Sequence, residues 1–323
     1  MMAELQTLIQ DRLAQNRWGM LGNQGHILGV DVGSYGLRAA LVDLHNHTLT
    51  TAHTELASGS PDESVACALD LARDLLAQAN VTTERLVRVG VGFSGPVDRR
   101  YGVVRLAPRD PRWENFPLQE RFEQAFDAVT LIDNDANLIA LAEATFGAGA
   151  GRKHLFYMHL SSGVGGGLVL NGHLYHGATS TAGEIGHAVV GHGWDGTGRP
   201  EMLEELVSIR GLLARAARLG LETQNLETLF TADPIGNQVI QETVDLIATR
   251  CAQTVALVDP EMVVLGGIVV RIGGDAFVHA IATKVNDFIA PKFARPLPVV
   301  ASILGPNSVS IGAIATALDS LSN

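Results

Sequence analysis

Cysteine is scarce in this chain, and its placement argues against two kinds of protein. Among the 323 residues only Cys67 and Cys251 occur, far apart and in neither a CxxC nor a CxC pattern. A disulfide framework and a thiolate metal site both need more cysteines at closer spacing. The chain is therefore predicted to work in a reducing cytoplasm.

Basic residues and long apolar runs are also in short supply. Lysine and arginine number 23 against 34 aspartates and glutamates, and the formal net charge of −11 has the wrong sign for binding nucleic acid or an anionic membrane surface. No apolar stretch reaches the ~18 residues of a membrane-spanning helix, and the first residues lack the basic and apolar blocks of a signal peptide. We expect a protein that is neither secreted nor inserted, with a small molecule as its partner.

The chain does have apolar residues in quantity and enough length for two cores. Hydrophobic residues make up 46% and charged residues 18% of it, the balance of an ordinary globular protein. An amphipathic helix is predicted over residues 3–16. Three apolar strands begin at Ile27 and are followed by helices. The same order begins again at Leu155, with the third strand of this second meander expected near Ala188. This repetition predicts a duplicated α/β architecture, with two domains and a cleft between them.

A glycine-rich stretch over residues 160–187 is the most informative part of the chain. Ser161, Ser162 and Gly163, followed by residues 165–167, join two apolar runs and predict a strand, a glycine turn and a returning strand. Backbone N–H groups at such a turn can bind phosphate, although a tight hairpin without a ligand has the same pattern. Residues 183–187, Gly-Glu-Ile-Gly-His, then set a carboxylate and an imidazole three positions apart, which indicates a polar sugar or metal site.

Asp135 is the strongest candidate for acid–base chemistry. It follows a buried strand at the start of a helix, where the helix dipole helps to keep it ionised, and an ionised carboxylate there can act as general base toward a hydroxyl. The alternative is that Asp133, Asn134 and Asp135 serve only as a helix cap.

Two further glycine turns follow buried strands. Asp31, with Gly33 and Ser34, suits a site for Mg²⁺ and the terminal phosphate of a nucleotide. Gly266 and Gly267 end a strand over residues 262–265, where a nucleotide base or ribose could lie. Each signal is weak alone, and together they indicate a nucleotide site.

The motifs, taken in order, resemble the ROK family of repressors, open reading frames and kinases from about residue 27 to the end. They are Asp31-Val-Gly33, Ser94-Gly-Pro-Val-Asp98, Asn134-Asp-Ala-Asn137 with Glu143, Ser162-Gly-Val-Gly-Gly-Gly167, Ala182-Gly-Glu-Ile-Gly-His187, Leu203-Glu204 and Gly266-Gly267. The resemblance implies an actin-like or hexokinase-like duplicated fold. It also implies either an ATP-dependent kinase of a hexose or N-acetylhexosamine or a sugar-sensing regulator, commonly as a homodimer.

Carried over residue by residue, the resemblance makes Asp135 the catalytic base. The expected sugar site consists of Gly95, Asn134, Glu184, His187 and Glu204. The expected ATP and Mg²⁺ site consists of Asp31, Gly33, Ser34, Ser162, Gly163, Gly165, Gly266 and Gly267. The expected domains are residues 27–134 with 308–323, and residues 135–307, after an N-terminal helix and connector over residues 1–26.

One departure from the family pattern concerns zinc. Family members usually carry a cysteine set, a structural zinc site, just before the residue that corresponds to Glu204, and residues 191–204 here contain no cysteine. Thiolate zinc binding is excluded at this place, and no structural zinc is expected. His187, His192 and Asp195 could in principle bind a metal, but His187 is expected to serve as a neutral partner of the sugar, with Trp194 packing the loop.

The other departure concerns ATP. Residues 31–35 read Asp-Val-Gly-Ser-Tyr, where kinases of the family usually have Asp-x-Gly-Gly-Thr. Tyr35 in place of a small hydroxyl residue is more typical of the repressors. Yet only 26 residues precede Ile27, too few for the winged helix-turn-helix of those repressors, and the chain is acidic. A sugar kinase is therefore the first interpretation, and a sugar sensor without turnover is the alternative.

Overall fold

The computed structural model describes residues 2–15, 25–33, 36–55, 59–105, 110–192, 198–289 and 296–321. The predictions for Ser34, Tyr35, Trp194 and Asp195, and for the side chain of His192, lie outside the described residues. None of the described helices is long and apolar enough to cross a membrane.

Groups of strands and groups of helices follow one another along the chain. The helices are α1 (Met2–Gln15), α2 (Pro61–Gln78), α3 (Leu118–Phe126), α4 (Asp135–Thr145), α5 (Leu203–Val207), α6 (Ile209–Arg218), α7 (Pro234–Val258), α8 (Ile268–Ile289) and α9 (Ser308–Leu321). The strands are β1 (His26–Gly33), β2 (Gly36–Asp43), β3 (Thr48–Thr54), β4 (Leu86–Phe93), β5 (Val97–Asp98), β6 (Val103–Val104), β7 (Thr130–Asn134), β8 (Leu155–Leu160), β9 (Val164–Leu170), β10 (His173–Leu174), β11 (Val189–His192), β12 (Pro200–Met202), β13 (Met262–Gly266) and β14 (Val299–Ala301).

The first compact unit consists of Met1–Ala150, His176–Ala182 and Leu304–Asn323. Its sheet has the order β3-β2-β1-β4-β7, in which β1 is antiparallel to β2 and parallel to β4, and β4 is parallel to β7. Alternation along β1 and β4 puts residues such as Leu28 and Val91 into a core with α2 and α3. The amphipathic helix α1 packs against β3.

Helix α9 covers the other face of this sheet at very close range. A Cβ on Gly90 would lie 2.2 Å from the carbonyl oxygen of Ala313, so only glycine allows this approach. Helix α4 packs on α9 in turn, because Gly312 presents no side chain to Leu138. The boundary that the sequence predicts after residue 134 therefore falls inside this unit.

The second unit consists of Gly151–Tyr175 and Gly183–Ile303. Its sheet has the order β10-β9-β8-β13-β14, with β8 and β9 antiparallel and β8, β13 and β14 parallel. Residues Phe156, Met158 and Leu160 of β8 face a core shared with α7 and α8. The order of two antiparallel pairings followed by two parallel pairings is that of the first unit, so the predicted duplicated α/β architecture is confirmed.

One element of the predicted repeat was wrong. The third strand of the second meander was expected near Ala188, but it is β10, joined to β9 by Asn171 and Gly172, both with positive φ. Asn-Gly is the preferred pair for a two-residue hairpin. Strand β11 instead pairs with β12 in a small separate sheet.

Candidate functional site

In the first unit, three parallel strands bring the predicted residues to one edge of the sheet. Asp31 on β1 is in register with Gly92 on β4, and Gly92 is in register with Asp133 on β7. Beyond this row, β1 ends at Gly33 and β7 ends at Asn134. The carboxyl ends of parallel strands are the usual place for ligands in open α/β sheets.

Asn134 and Asp135 form the turn from β7 into α4. Asn134 is the cap: its side-chain oxygen accepts a hydrogen bond from the amide of Ala136 at 2.9 Å, and its Nδ2 donates to the carbonyl of Gly95 at 3.1 Å. Asp135 is the first helical residue and is half-buried, and its Oδ1 also accepts from the amide of Ala136, at 2.7 Å. The capping function therefore belongs to Asn134, and Asp135 has a carboxylate at the positive end of the helix.

Asp31 has the largest pKa shift among the acids of this unit that the structure describes. It is 8% exposed, and its Oδ1 is buried without a hydrogen-bond partner among the residues that the structure describes. Burial first, and the negative charge of Asp135 second, raise the pKa of Asp31 to about 8, against the opposing effect of Arg38. A buried carboxylate oxygen with no donor is suited to a hard cation, and Mg²⁺ is commonly held through one or two carboxylates together with phosphates. Asp31 therefore fits the predicted Mg²⁺ position.

A buried cluster next to this turn has no counterpart among the sequence predictions. Asp133 is 1% exposed, and its carboxylate contacts His176 and Arg99 as well as Asn134 and Asn137. His176 lies 43 positions from Asp133, and Arg99 lies 34 positions before it. No local pattern relates these residues, so sequence reasoning could not have joined them.

In the second unit, hydrogen bonds hold the glycine loop between β8 and β9. One lies within the loop, and the others join it to α5 and α6. The amide of Ser161 donates to the carbonyl of Gly163 at 2.9 Å, and the amide of Val164 donates to Oε2 of Glu204 at 2.9 Å. The carbonyl of Ser161 accepts from the amide of Ile209. The predicted phosphate loop and the predicted sugar ligand Glu204 are therefore in direct contact, and the amide of Val164 is already engaged.

Residues 183–187 pack directly on β9, and their glycines make this possible. Gly183 has φ of +92°, and a Cβ on it would lie 2.4 Å from the carbonyl oxygen of Gly166. A Cβ on Gly186 would lie 2.2 Å from the carbonyl oxygen of Val164. The loop thus brings Glu184 and His187 beside the same end of β9 that Glu204 contacts.

Glu184 and His187 form a pair. The Nε2 atom of His187 lies 3.9 Å from Oε2 of Glu184, and the His187 side chain is 72% exposed. The two side chains, a carboxylate and an imidazole with access to solvent, offer donors and acceptors of the kind that bind sugar hydroxyls.

Gly266 and Gly267 end β13 next to the end of β8. Gly267 has φ of +97°, and a Cβ on it would lie 2.2 Å from the carbonyl oxygen of Leu160. The glycine pair and the loop that contains Ser162, Gly163 and Gly165 therefore share one edge of the second sheet. No group of three or more His, Cys, Asp or Glu side chains that could hold a metal ion occurs in the part of the chain that the structure describes.

Comparison with known proteins agrees with this architecture. The glucokinase of Thermotoga maritima is 29% identical over 309 residues, which are 89% of this chain and 95% of that protein. The xylose repressor of Caldicellulosiruptor bescii is 27% identical over 319 residues, 92% of this chain and 79% of that protein.

Among solved structures, a ROK family glucokinase from Streptomyces griseus in complex with glucose and AMPPNP superposes with a TM-score of 0.73 at 25% identity, covering 90% of this chain and 98% of that one. The model of the ROK family matches residues 27–320. The chain therefore belongs to the ROK family, with its hexokinase-like fold of two five-stranded mixed sheets.

Proposed function

We propose that this protein is an ATP-dependent kinase that transfers a phosphoryl group to a hydroxyl of a hexose or N-acetylhexosamine. The observation that carries the proposal is the pairing of two carboxylates in the first unit. Asp31 is buried, with a pKa raised to about 8, and Asp135 stands half-buried at a helix start, near enough to affect that pKa. Two acids in different environments at one sheet edge can take different roles, one in cation binding and the other in proton transfer.

Asp135 is assigned the proton transfer. Its carboxylate takes the proton of the sugar hydroxyl as that oxygen attacks the γ-phosphorus, the bond to the β-phosphate oxygen breaks, and ADP leaves. Asn134, held by Gly95 and by its capping bond, keeps the turn and the base in place. Asp31 would hold Mg²⁺, which when bound neutralises charge on the phosphates.

Residues of the second unit are also assigned to both substrates. Glu184, His187 and Glu204 bind sugar hydroxyls, and Glu204 also holds the glycine loop through the amide of Val164. The nucleotide is assigned to one edge of the second sheet, with Ser162, Gly163, Gly165, Gly266 and Gly267. Support comes from the shared edge of these turns and from the glucokinases to which the chain is similar.

A non-catalytic sugar sensor is the second candidate, because the chain is also 27% identical to a xylose repressor over 92% of its length. The two candidates differ in nucleotide binding. Calorimetry with a non-hydrolysable ATP analogue at saturating sugar separates them: the kinase binds the analogue, and the sensor binds the sugar alone.

The direct test is a coupled ADP-release assay of the purified protein with Mg·ATP against a panel of hexoses and N-acetylhexosamines. We expect sugar-dependent ADP release with one or a few members of the panel. Sugar binding without turnover, together with no nucleotide binding at millimolar concentration, would refute the kinase and support the sensor.

A further inference from the structure

We propose that His176 is a positioning residue for Asp135 and acts through the buried carboxylate of Asp133. The inference rests on the proposed function, since it gives Asp135 the role of base. It concerns residues of the first unit only, because the segment His176–Ala182 belongs to that unit while the chain on either side of it belongs to the second.

Asp133 is buried and fully engaged. Its Oδ2 lies 2.7 Å from Nε2 of His176 and 3.3 Å from Nε of Arg99. Its Oδ1 accepts hydrogen bonds from the backbone amide of Asn134 at 2.8 Å and from Nδ2 of Asn137 at 3.0 Å. A buried carboxylate that loses one of its partners is strongly destabilised, so the position of Asp133 depends on all of them.

His176 lies between Arg99 and Asp133 and is within hydrogen-bond distance of both. Nη1 of Arg99 lies 2.9 Å from Nδ1 and 2.8 Å from Nε2 of His176, and Nε2 of His176 lies 2.7 Å from Oδ2 of Asp133. A guanidinium can only donate, and an ionised carboxylate can only accept. Nε2 of His176 therefore donates to Asp133, and the ring of His176 lies between Arg99 and that carboxylate.

Oδ1 of Asp133 connects these hydrogen bonds to the proposed base. It holds the amide of Asn134, the residue that caps α4 and immediately precedes Asp135. A shift of the Asp133 carboxylate thus moves the peptide from which the side chains of Asn134 and Asp135 extend. A displacement of about 1 Å in a catalytic group can cost about 100-fold in rate.

The segment His176–Ala182 has a second attachment within the first unit, and this attachment supplies a matched control. Nη1 of Arg105 donates to the carbonyl of Thr179 at 3.1 Å. Replacing Arg105 loosens the segment without touching Asp133. If His176 matters only because it ties the segment down, the two replacements have similar effects.

The kinetic test compares His176→Leu, His176→Gln and Arg105→Ala in the ADP-release assay. We expect kcat to fall about 10- to 100-fold in His176→Leu while the KM values for sugar and ATP change less than about threefold. His176→Gln, whose amide can both accept from Arg99 and donate to Asp133, restores kcat to within about threefold of wild type, and Arg105→Ala stays there too. Equal kcat in His176→Leu and Arg105→Ala would overturn the proposal.

Hydrogen exchange of the Asn134 and Ala136 amides supplies a readout that does not need turnover. We expect exchange about tenfold faster in His176→Leu and unchanged in Arg105→Ala. A fall in kcat with unchanged exchange at Asn134 contradicts action through Asp133. A wild-type protein without turnover refutes the proposed function instead, and exchange alone then decides whether His176 holds the turn.

If His176→Leu does not fold, Arg99→Gln takes its place. This change removes the charge beside Asp133 and leaves His176 present. We expect a fall in kcat of at least about threefold with faster exchange at Asn134. Wild-type kcat in Arg99→Gln overturns the proposal.

Discussion

Replacing Asp31 with asparagine should make the protein more stable, and increasingly so as the pH rises. The Asp31 carboxyl has an ordinary pKa of 3.8 and a pKa of about 8 in the folded protein. Between these values the unfolded chain has released the proton and the folded chain still holds it. The free energy of unfolding therefore falls as pH rises through this window and levels off above about pH 8.

The size of the effect follows from the same two values. A difference of about four pH units, at about 1.4 kcal/mol per unit, corresponds to a cost on the order of 5 kcal/mol above pH 8 in the absence of a cation. Asparagine has nearly the same shape and no charge, and Oδ1 of Asp31 has no hydrogen-bond donor to lose within the described part of the chain. The variant therefore avoids the cost without breaking a contact of that oxygen.

The assay is urea unfolding of wild type and Asp31→Asn at pH 6 and pH 8.5 without divalent cations. We expect the stability gap in favour of the variant to widen by about 3 kcal/mol between the two pH values. Asp43→Asn is the control. Burial of Asp43 would raise its pKa, but hydrogen bonds from Asn46 and His45 bring the pKa below the ordinary value. The difference in unfolding free energy between Asp43→Asn and wild type therefore stays constant over this pH range.

A bound cation should restore the unfolding free energy that wild type loses at high pH, because it favours the ionised form of Asp31. Adding Mg²⁺ at pH 8.5 should stabilise wild type and leave Asp31→Asn nearly unchanged. A stability gap that does not change with pH would refute the account of Asp31 as a buried acid forced to keep its proton.

Three further outcomes can be checked with simple variants or analyses. Asp135→Asn should lower kcat about 10²- to 10⁴-fold while calorimetry shows sugar binding retained, and near-normal turnover would exclude the base role. Gly183→Ala should destabilise the protein by roughly 3 kcal/mol and weaken sugar binding, because φ is +92° and the new Cβ would meet a backbone oxygen. Gly151→Ala, with φ of +84° and no atom of the described residues within 4 Å of the new Cβ, should cost only the backbone strain, so equal losses in thermal unfolding would contradict this reason. Elemental analysis should find no stoichiometric zinc, since residues 191–204 contain no cysteine, and chelation should leave sugar affinity intact, whereas one tightly held zinc per chain would refute this.

The sequence by itself determined the elements that depend on neighbouring residues. Apolar alternation and glycine turns predicted the two sheets, and Asn134 followed by an apolar helix predicted the cap and the start of α4. The hairpin at Asn171 and Gly172 is a further local signal, because Asn-Gly is the preferred pair for a two-residue turn. All of these are short-range effects, set by backbone conformation within a few residues.

Only the tertiary structure decided the chemical state of the acids. The pKa of Asp31 depends on burial and on Asp135, which lies 104 positions further along the chain. The engagement of Glu204 with Val164 and the network of Asp133 with His176 likewise join residues about 40 positions apart. Electrostatic interactions are strong where water is excluded and weak where it is present, so they depend on which distant segments pack together. A linear pattern contains the residue types but not those distances.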